Sequence, residues 1–382
     1  MSNENFARRR GLHICVITTV HRPDDTRINK EIRSLLKMNY KITYLAPEGD
    51  YTAPDGVNYI PLRKNLSRLK RILYSLFGVH KIALAVNADV YHFHDPELIP
   101  LAKRLKKRGK KVVYDVHEDY PALMLYKDWL PKIFRKIVAR LFDIYERSSQ
   151  WAYDGVVAVT DAVAERFQEA YTVILPNYPE VDRLISFSRS KSPVIDQESV
   201  KFVYFGTINH SERCLGEILQ AFRELKRRYG NQVFLTLIGP VFGDVGKKMI
   251  KENEDIVEYF PFLPYEKALR LASEHDVGLI IFRKYKNSLI SSPNKLFEYM
   301  ALGLGIIASD IPFWHNIIGE EPWALYVDPD DPKDIFEKMA QFVENKHLIK
   351  MARLYAPKRV KKYDWSICER KLRGFYESLA ES

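Results

Sequence analysis

Short runs of Val, Ile, Leu and Tyr alternate with longer amphipathic stretches through most of this chain. The pattern is typical of a parallel α/β sheet, because strands that helices cover on both faces are apolar almost throughout. In the first half, helical stretches are expected at residues 25–38, 96–108 and 131–153. The predicted strands of this half form one doubly wound sheet and are His13–Thr18, Lys41–Ala46, Val90–His94, Lys111–Asp115, Gly155–Val159 and Thr172–Leu175.

A second series of the same kind begins after residue 199. Its predicted strands are Lys201–Phe205, Val233–Ile238, Ile256–Phe260, Val277–Ile281, Gly305–Ala308 and Ala324–Val327. Between the two series, Ser188–Ser199 is polar, contains a proline and shows no period, which predicts a linker. A chain of 382 residues with 46% apolar residues can bury two cores. We therefore expect domains at residues 1–185 and 200–362, joined by residues 186–199, with an amphipathic helix in residues 363–382.

The net charge of the chain indicates which kinds of binding partner it favours. Lys and Arg number 59 against 49 Asp and Glu, a formal charge of +10 that favours nucleotides, nucleic acid or acidic lipid surfaces. Cys15, Cys214 and Cys368 lie far apart without metal-ligand spacing, so reduced thiols in a cytoplasmic protein are expected. The apolar run near the N-terminus fits a first strand better than a signal peptide. No stretch approaches about 18 uninterrupted apolar residues, so no transmembrane helix is predicted.

The segment SSPNKLFEYMALGLGIIASD, residues 291–310, combines a polar loop, a helix start and a buried strand. The two serines before Pro293 are good helix caps, and proline suits the first turn because it has no N–H to satisfy. The helix is therefore expected to begin near Asn294, where its free N–H groups form an anion site beside Lys295. One turn later, the Glu298 carboxylate can accept two hydrogen bonds from the vicinal hydroxyls of a ribose.

This segment resembles the donor-site signature of the family 4 glycosyltransferases, which have the GT-B fold. The resemblance implies two Rossmann-like, doubly wound parallel-sheet domains that face each other across a cleft, and a terminal helix that crosses back to the first domain. Ligands of open α/β sheets bind at the carboxyl ends of the strands, so the active site is expected in that cleft. The plainer interpretation is an ordinary helix between strands, with a surface Lys and Glu.

The opening of the second domain carries the next motif. A strand ends at Gly206 and a helix begins near Leu215, so backbone N–H groups at the helix start, together with Arg213, can hold a diphosphate. The resembled family often has an arginine where this chain has Thr207, and a glycine where it has Cys214. Arg213 could instead be a solvated loop residue. The predicted donor-binding residues are Gly206, Thr207, Arg213, Ser292, Asn294, Lys295 and Glu298.

Two segments of the first domain, residues 20–35 and 89–105, resemble a subgroup of the same family. The loop after the first strand has no glycine, and Asp24, Asp25, Thr26 and Arg27 instead form a polar loop with a good helix cap. Arg27 is a candidate for contact with phosphate or acceptor, with an ion pair at the cap as the alternative. His94 and its neighbour His92 alternate on one strand, but a metal site needs more converging ligands, and the resemblance implies none. No metal and no other cofactor is expected.

His117 follows a predicted strand end that faces the cleft. Similar family members carry a histidine there, close to the transferred sugar, which implies hydrogen bonding to a sugar hydroxyl and stabilisation of the transition state. Asp115 or Glu118 could orient its imidazole or bind acceptor hydroxyls. The alternative is a strand-end histidine with a structural hydrogen bond. The predicted catalytic residues are His117 and Glu298, and the predicted acceptor or phosphate contacts are Asp25, Arg27, His94, Asp115 and Glu118.

These residues predict a hexosyltransferase that moves a sugar from a UDP- or GDP-type nucleotide sugar to a hydroxyl of a glycan or lipid-linked glycan, as in polysaccharide biosynthesis. Arg213, Lys295 and helix N-termini would neutralise the diphosphate. The resemblance implies retention of configuration, but Ile290 occupies the position of the first of two family glutamates. The sugar and the stereochemistry therefore stay open.

Residues 63–81 and 127–147 interleave cations with aliphatic and aromatic residues, as a membrane-surface helix does. A lipid-linked acceptor and peripheral attachment at the inner face of the cell membrane would suit both. Solvated helix faces packed on the sheet explain the pattern equally well.

Three other classes of protein could account for parts of this pattern. A nicotinamide-dependent enzyme would need G-x-G-x-x-G after the first strand, and that run is missing. A nucleotide-sugar epimerase of the same fold would act without an acceptor. A nonenzymatic protein that binds anionic polymers would leave the ordered set of Arg213, Lys295 and Glu298 unexplained, so no nucleic-acid partner is expected.

Overall fold

The structure is a computed structural model that describes residues 11–64, 66–125, 130–188 and 198–381. The chain divides into two compact units. The first contains the chain up to Asn177 together with the segment from Ser366 onward, and the second is Tyr178–Trp365.

The first unit is built on a seven-stranded sheet in the order β3-β2-β1-β4-β5-β6-β7, in which every neighbouring pair is parallel. Its strands are β1 His13–Ile17, β2 Lys41–Pro47, β3 Val57–Leu62, β4 Val90–Phe93, β5 Lys111–Val116, β6 Gly155–Ala158 and β7 Thr172–Ile174. Strand β3 was not predicted, because only Leu62 of its six residues is fully buried. Pro61 is tolerated there since β3 lies at the edge of the sheet.

The second unit has a six-stranded parallel sheet in the order β12-β10-β8-β13-β14-β15 and a small two-stranded sheet. Its strands are β8 Val200–Phe205, β9 Ile208–Asn209, β10 Val233–Ile238, β11 Val241–Phe242, β12 Val257–Phe260, β13 Val277–Ile280, β14 Gly305–Ser309 and β15 Ala324–Val327. Every strand that the sequence predicts is present in the two sheets, with its ends shifted by no more than one residue.

Helices connect these strands. They are α1 Thr26–Lys37, α2 Arg68–Tyr74, α3 His80–Val86, α4 Ile99–Lys106, α5 Tyr120–Met124, α6 Lys132–Arg147, α7 Asp161–Ala164, α8 Val181–Ile185, α9 Leu215–Tyr229, α10 Asp244–Lys251, α11 Tyr265–Ala272, α12 Lys286–Ile290, α13 Asn294–Leu302, α14 Pro312–Ile318, α15 Pro332–Glu344, α16 His347–Val360 and α17 Trp365–Glu381. A π-helical turn, Ser75–Val79, joins α2 to α3. None of the described helices combines the length and the apolar content needed to cross a bilayer.

Helix α17 completes the first unit. Its Phe375 ring stacks on Tyr171 at a centroid distance of 5.2 Å, and the neighbouring Tyr376 hydroxyl lies 2.8 Å from Nδ1 of His92. The approach requires Gly155 in β6, because a Cβ there would lie 2.4 Å from the Phe375 ring. The last helix of the chain is therefore packed against the sheet that the first half forms.

The boundaries of the two compact units differ from the domain limits that the sequence predicts. The sequence places the end of the first domain at residue 185, yet α8 belongs to the second unit, because Val181 and Leu184 lie in its core beside Phe297 of α13. At the other limit, Tyr363 contacts the Phe297 ring, and the chain returns to the first unit only at Ser366. Residues 189–197 of the predicted linker lie outside the described residues.

We expect Gly155→Ala to lower the melting temperature, since the added methyl must displace the Phe375 ring at a cost of about 1–3 kcal/mol. Gly374 of the same contact region is the matched control, because it is exposed in α17 and a Cβ there meets nothing within 4 Å. Gly374→Ala should stabilise the helix by up to about 1 kcal/mol. Thermal unfolding followed by circular dichroism measures both, and equal effects from the two variants would contradict the packing described.

Candidate functional site

Two glycines bring the backbone together after strands β8 and β10 in the second unit. Gly206 has φ +119° and its N–H donates to the Ile238 carbonyl at 2.7 Å. Gly239 has φ +134°, and a Cβ there would lie 2.2 Å from the Gly206 carbonyl oxygen. Both positions therefore require glycine for conformation, and Gly239 requires it for space as well. The loop that carries the predicted donor residues begins at this contact.

Two cations from different elements lie beside this loop. The Arg213 guanidinium is 3.6 Å from the centre of the Phe282 ring, and Nζ of Lys295 is 5.5 Å from the same centre. A Cβ on Gly206 would lie 2.6 Å from Lys295 Nζ, so this glycine also leaves room for the ammonium group. Among the residues that the structure describes, neither cation forms an ion pair with a carboxylate. The structure thus brings these three predicted residues together, with both cations outside any ion pair among the described residues.

The burial of Lys295 changes its protonation. Burial lowers the pKa of its ammonium group to about 8, and the nearby Arg213 charge acts in the same direction, whereas Glu298 opposes both. A bound anion would favour the charged form of Lys295. This lysine is therefore the group at the site whose charge depends most directly on what occupies the loop.

Glu298 lies one turn into α13 and is 5% exposed. The Tyr265 hydroxyl donates a hydrogen bond to its Oε1 at 2.7 Å, which fixes the direction of the carboxyl group. Burial raises the pKa of Glu298, while the hydrogen bond from Tyr265 and the charge of Lys295 lower it. Tyr265 is not among the residues that the sequence predicts for this site.

The helix start differs from the expected one in its cap. Pro293 is the N-cap residue of α13, with φ −63° and ψ 142°, and no side chain caps the helix. The serines before it are therefore not the N-cap of this helix, and the Ser291 carbonyl accepts a hydrogen bond from the Trp314 indole at 2.8 Å. Ser292 is half-buried, and Asn294 is the exposed first residue of the helix. The N–H groups of the first turn are therefore not taken by a capping side chain.

The loop before α9 explains one departure from the family pattern. Cys214 is the N-cap of α9 and has φ +50°, the left-handed conformation that favours glycine. Its side chain is fully buried, so packing offsets the strain. Nearby, the Arg283 guanidinium pairs with Glu217 in the first turn of α9. Thr207 is exposed. Its backbone carbonyl accepts a hydrogen bond from the Tyr204 hydroxyl at 2.9 Å.

In the first unit, Asp115 at the end of β5 is fully buried and paired with Arg27 of α1. The two bonds from Arg27 Nε and Nη2 to the carboxylate measure 3.1 and 3.0 Å. Burial alone would raise the pKa of Asp115, but Arg27 and His117 hold it well below its ordinary value. Glu31 behaves in the opposite way, since burial and the Asp115 charge raise its pKa well above the usual range. The environment of this cluster therefore favours the ionised form of Asp115 and disfavours that of Glu31.

Arg27 occupies a different position from the one predicted. It is 4% exposed, and its remaining terminal nitrogen donates to the Leu175 carbonyl at 2.8 Å. The expected direct contact with phosphate or acceptor is therefore replaced by an interior ion pair. Asp25 caps α1 as predicted, because its side chain accepts from the N–H groups of Arg27 and Ile28.

His117 lies at the edge of this cluster and is joined to it by two neighbours. Its Nε2 is 2.9 Å from Nδ1 of His94 and 3.3 Å from Oδ2 of Asp115. The His117 side chain keeps 11% exposure, whereas those of His94 and Asp115 are fully buried. The structure therefore brings these three predicted residues together. Glu118 is exposed and lies outside the cluster.

Four buried groups of the cluster could hold a metal ion. Glu31, His92, His94 and Asp115 each place one ligand atom within 4.8 Å of the others. Burial lowers the pKa of both imidazoles, which keeps them in the neutral form that binds metals. Arg27, however, already supplies positive charge to Asp115 and lies 3.2 Å from Glu31, so an ion would have to displace a guanidinium. The set fits an ion-paired network better than a metal centre.

Several residues of this network were missed by sequence reasoning. Glu31 and Tyr376 come from distant parts of the chain, and no motif connects them with β4. Asp95 is not among the predicted site residues, yet it accepts hydrogen bonds from the Thr18 hydroxyl at 2.8 Å and the Thr19 N–H at 2.6 Å. A polar residue directly after an apolar strand is the one signal that could have indicated it.

Comparison with known proteins supports the same architecture. The family model described as Glycosyltransferase Family 4 matches residues 26–177, and the one described as Glycosyl transferases group 1 matches residues 199–345. No curated protein matches the chain in sequence.

Solved structures resemble the chain over nearly its whole length. A sucrose-phosphate synthase from Thermosynechococcus elongatus has a TM-score of 0.73 at 14% identity, covering 97% of this chain and 100% of that one. The E. coli trehalose-6-phosphate protein bound with UDP-2-fluoro glucose has a TM-score of 0.67 at 13% identity, covering 97% and 99%. An α,α-trehalose-phosphate synthase (UDP-forming) from Burkholderia xenovorans, in complex with glucose-6-phosphate, has a TM-score of 0.67 at 12% identity, covering 97% and 100%.

Two parallel-sheet α/β units with these neighbours define an enzyme of the GT-B glycosyltransferase class. The two family matches, one in each half, make the identification more specific. The chain belongs to the family 4 glycosyltransferases, as the sequence motifs predicted.

Proposed function

We propose that this glycosyltransferase moves a hexosyl group from a UDP- or GDP-type nucleotide sugar to a hydroxyl of a glycan or lipid-linked glycan. The observation that carries the proposal is the pair of cations, Arg213 and Lys295, which lie beside Gly206 with no carboxylate paired to them among the described residues. Glu298 follows one turn later on the same helix as Lys295. The polysaccharide pathway and the retention of configuration belong to this proposal.

Neutralising the leaving group is the main task of these cations. When the glycosyl bond breaks, negative charge develops on the diphosphate, and donors already fixed in position stabilise that charge without reorganisation. Arg213 can form two parallel hydrogen bonds to phosphate oxygens, and Lys295 adds a compact charge. The uncapped first turn of α13 offers N–H groups of the same polarity.

The proposed role of Glu298 is to hold the ribose of the donor. A carboxylate accepts hydrogen bonds from two vicinal hydroxyls better than a neutral group does. Tyr265 fixes one oxygen of Glu298, so the direction of the carboxyl group is set before the donor binds. Lys295 favours the ionised form of Glu298 that this contact needs.

The choice of nucleotide and acceptor draws on the structural neighbours. The E. coli protein binds a UDP sugar analogue and the Burkholderia protein binds glucose-6-phosphate. UDP sugars are therefore the first donors to test, with sugar phosphates beside glycans as acceptors. Retention is implied by the family, although Ile290 replaces a glutamate at one sugar-facing position of its pattern.

His117 is proposed to contact the transferred sugar. Its imidazole lies at the partly exposed edge of the cluster, and its Nε2 atom contacts Asp115 and His94. A hydrogen bond from its imidazole to a sugar hydroxyl would stabilise charge that develops on the ring in the transition state. Asp115 and His94 then act as positioning residues.

Glu298→Gln should weaken binding of the true donor about tenfold, because a neutral amide keeps the bond to Tyr265 but loses charge-assisted bonds to the ribose. Thermal shift with UDP, GDP, ADP and their sugars identifies the nucleotide, followed by titration calorimetry. Glu224→Gln, at an exposed position of α9, is the control and should bind as the wild type does. If no nucleotide stabilises the wild type, the assignment of the donor site is wrong. Conversion of a nucleotide sugar without an acceptor would indicate an epimerase.

The affinity for the nucleoside diphosphate should fall as pH rises above about 8. Free Lys295 loses its proton near that pH, whereas a bound diphosphate raises its pKa, so binding above pH 8 must take up a proton. We expect up to about a tenfold rise in Kd per pH unit in this range. Lys295→Arg should bind with little pH dependence. A wild-type Kd that stays constant from neutral pH to well above 8 would contradict the role of Lys295.

His117→Asn should reduce kcat about 10²–10³-fold, the loss expected for one transition-state hydrogen bond. Nucleotide binding by the second unit should be unchanged, which thermal shift measures in the same samples. His347→Gln, at the exposed start of α16, is the matched control. A His117 variant that transfers sugar at the wild-type rate would assign this histidine a structural role.

A further inference from the structure

The outer face of α6 is apolar, the reverse of an ordinary surface helix. Ile133, Ile137 and Leu141 follow one another at four-residue spacing and are 78%, 56% and 62% exposed. Phe134, Ile144 and Tyr145 are exposed on the same helix. A surface helix of a globular protein normally turns such a stripe toward the core. We name these six residues the outer ridge.

The inner face of the same helix carries its acidic groups. Glu146 is fully buried, where it accepts hydrogen bonds from the Tyr114 hydroxyl at 2.8 Å and from Arg166 at 2.6 Å. Asp143 binds the same arginine at 2.8 Å. The orientation of α6 is therefore fixed by polar contacts with the body of the first unit, and the apolar residues are left outside.

Four cations flank the outer ridge: Lys132, Lys136, Arg140 and Arg147 are all exposed. Within Lys132–Arg147, all of which the structure describes, both acidic residues are engaged by Arg166, so the outward face carries positive charge alone. Apolar side chains beside cations, without exposed acids, are the composition of helices that lie in the interface of an anionic membrane.

A second segment of the first unit has the same chemistry. Leu69 of α2 and Phe77 of the π-helical turn are 70% and 74% exposed, and Leu73 and Lys70 are exposed between them. Scattered apolar residues on a surface need no explanation, but contiguous ones indicate an interaction site.

We propose that the outer ridge docks on the surface of an anionic lipid bilayer, with its apolar side chains among the acyl chains and its cations at the headgroups. The positive charge of the outward face selects lipid anions as the partner. The inference goes beyond the proposed donor and does not depend on it. Helix α6 also contacts Tyr120 through Phe142, and the Tyr120 hydroxyl donates to the His94 carbonyl at 3.4 Å. The histidine cluster is thus connected to the docking helix within one unit.

Flotation of the full chain with lipid vesicles tests the proposal. The wild type should bind vesicles of phosphatidylcholine with added phosphatidylglycerol, and should bind phosphatidylcholine alone far more weakly. Ile137→Ser with Leu141→Ser should weaken binding about a hundredfold, since each side chain loses its transfer into the apolar layer. Lys136→Gln with Arg140→Gln should weaken it about 25-fold, at roughly fivefold per cation. Added salt should release the protein.

The matched control removes equally exposed apolar residues elsewhere. Phe262→Ser with Leu354→Ser, in the second unit, should bind vesicles as the wild type does. An equal loss in this control, or a wild type that does not float with anionic vesicles, overturns the proposal. A dimer seen by light scattering that is lost in the Ile137 and Leu141 variant, without vesicle binding, would instead make the ridge an interface between copies. Nucleotide-induced stabilisation should be unchanged in every variant, so failure here is distinct from failure of the donor assignment.

Discussion

The buried pair of Arg27 and Asp115 is the interaction on which the first unit depends. It joins the first turn of α1 to the end of β5, and Asp115 in turn contacts the imidazoles of His94 and His117. Removing one partner of such a pair leaves an uncompensated buried charge, which typically costs about 3–5 kcal/mol. The geometry of His117 therefore depends on an arginine that is itself buried.

In the second unit, by contrast, the two cations of the candidate site form no ion pair with a described residue. Arg213 and Lys295 are placed against the faces of aromatic rings, which tolerate a cation without neutralising it. Burial and the charge of Arg213 lower the pKa of Lys295, so its charged form is disfavoured at this position. Positive charge outside any ion pair favours an anionic ligand, which is the basis of the proposed donor site, whereas the ion pairs of the first unit restrict the movement of the side chains that form them.

The sequence predicts the sheets well because strands buried on both faces are continuous apolar runs. It fails at β3, where an edge strand with Pro61 lacks such a run. In the site, Lys295 and Glu298 could be predicted because they lie one turn apart on one helix. Glu31 could not, since its pKa is raised first by burial and then by the charge of Asp115, and both arise only when distant parts of the chain pack together.

The same limit explains why the sequence left the basic helices undecided between a membrane surface and solvated faces on the sheet. Periodicity shows that a helix has two faces but does not say which one points inward. In α6 the choice is made by Arg166, which binds Asp143 and Glu146 and so turns the acidic side toward the core. Since burying those carboxylates without a cation would be unfavourable, Arg166, in the turn after α7, stabilises the orientation in which the apolar side faces outward.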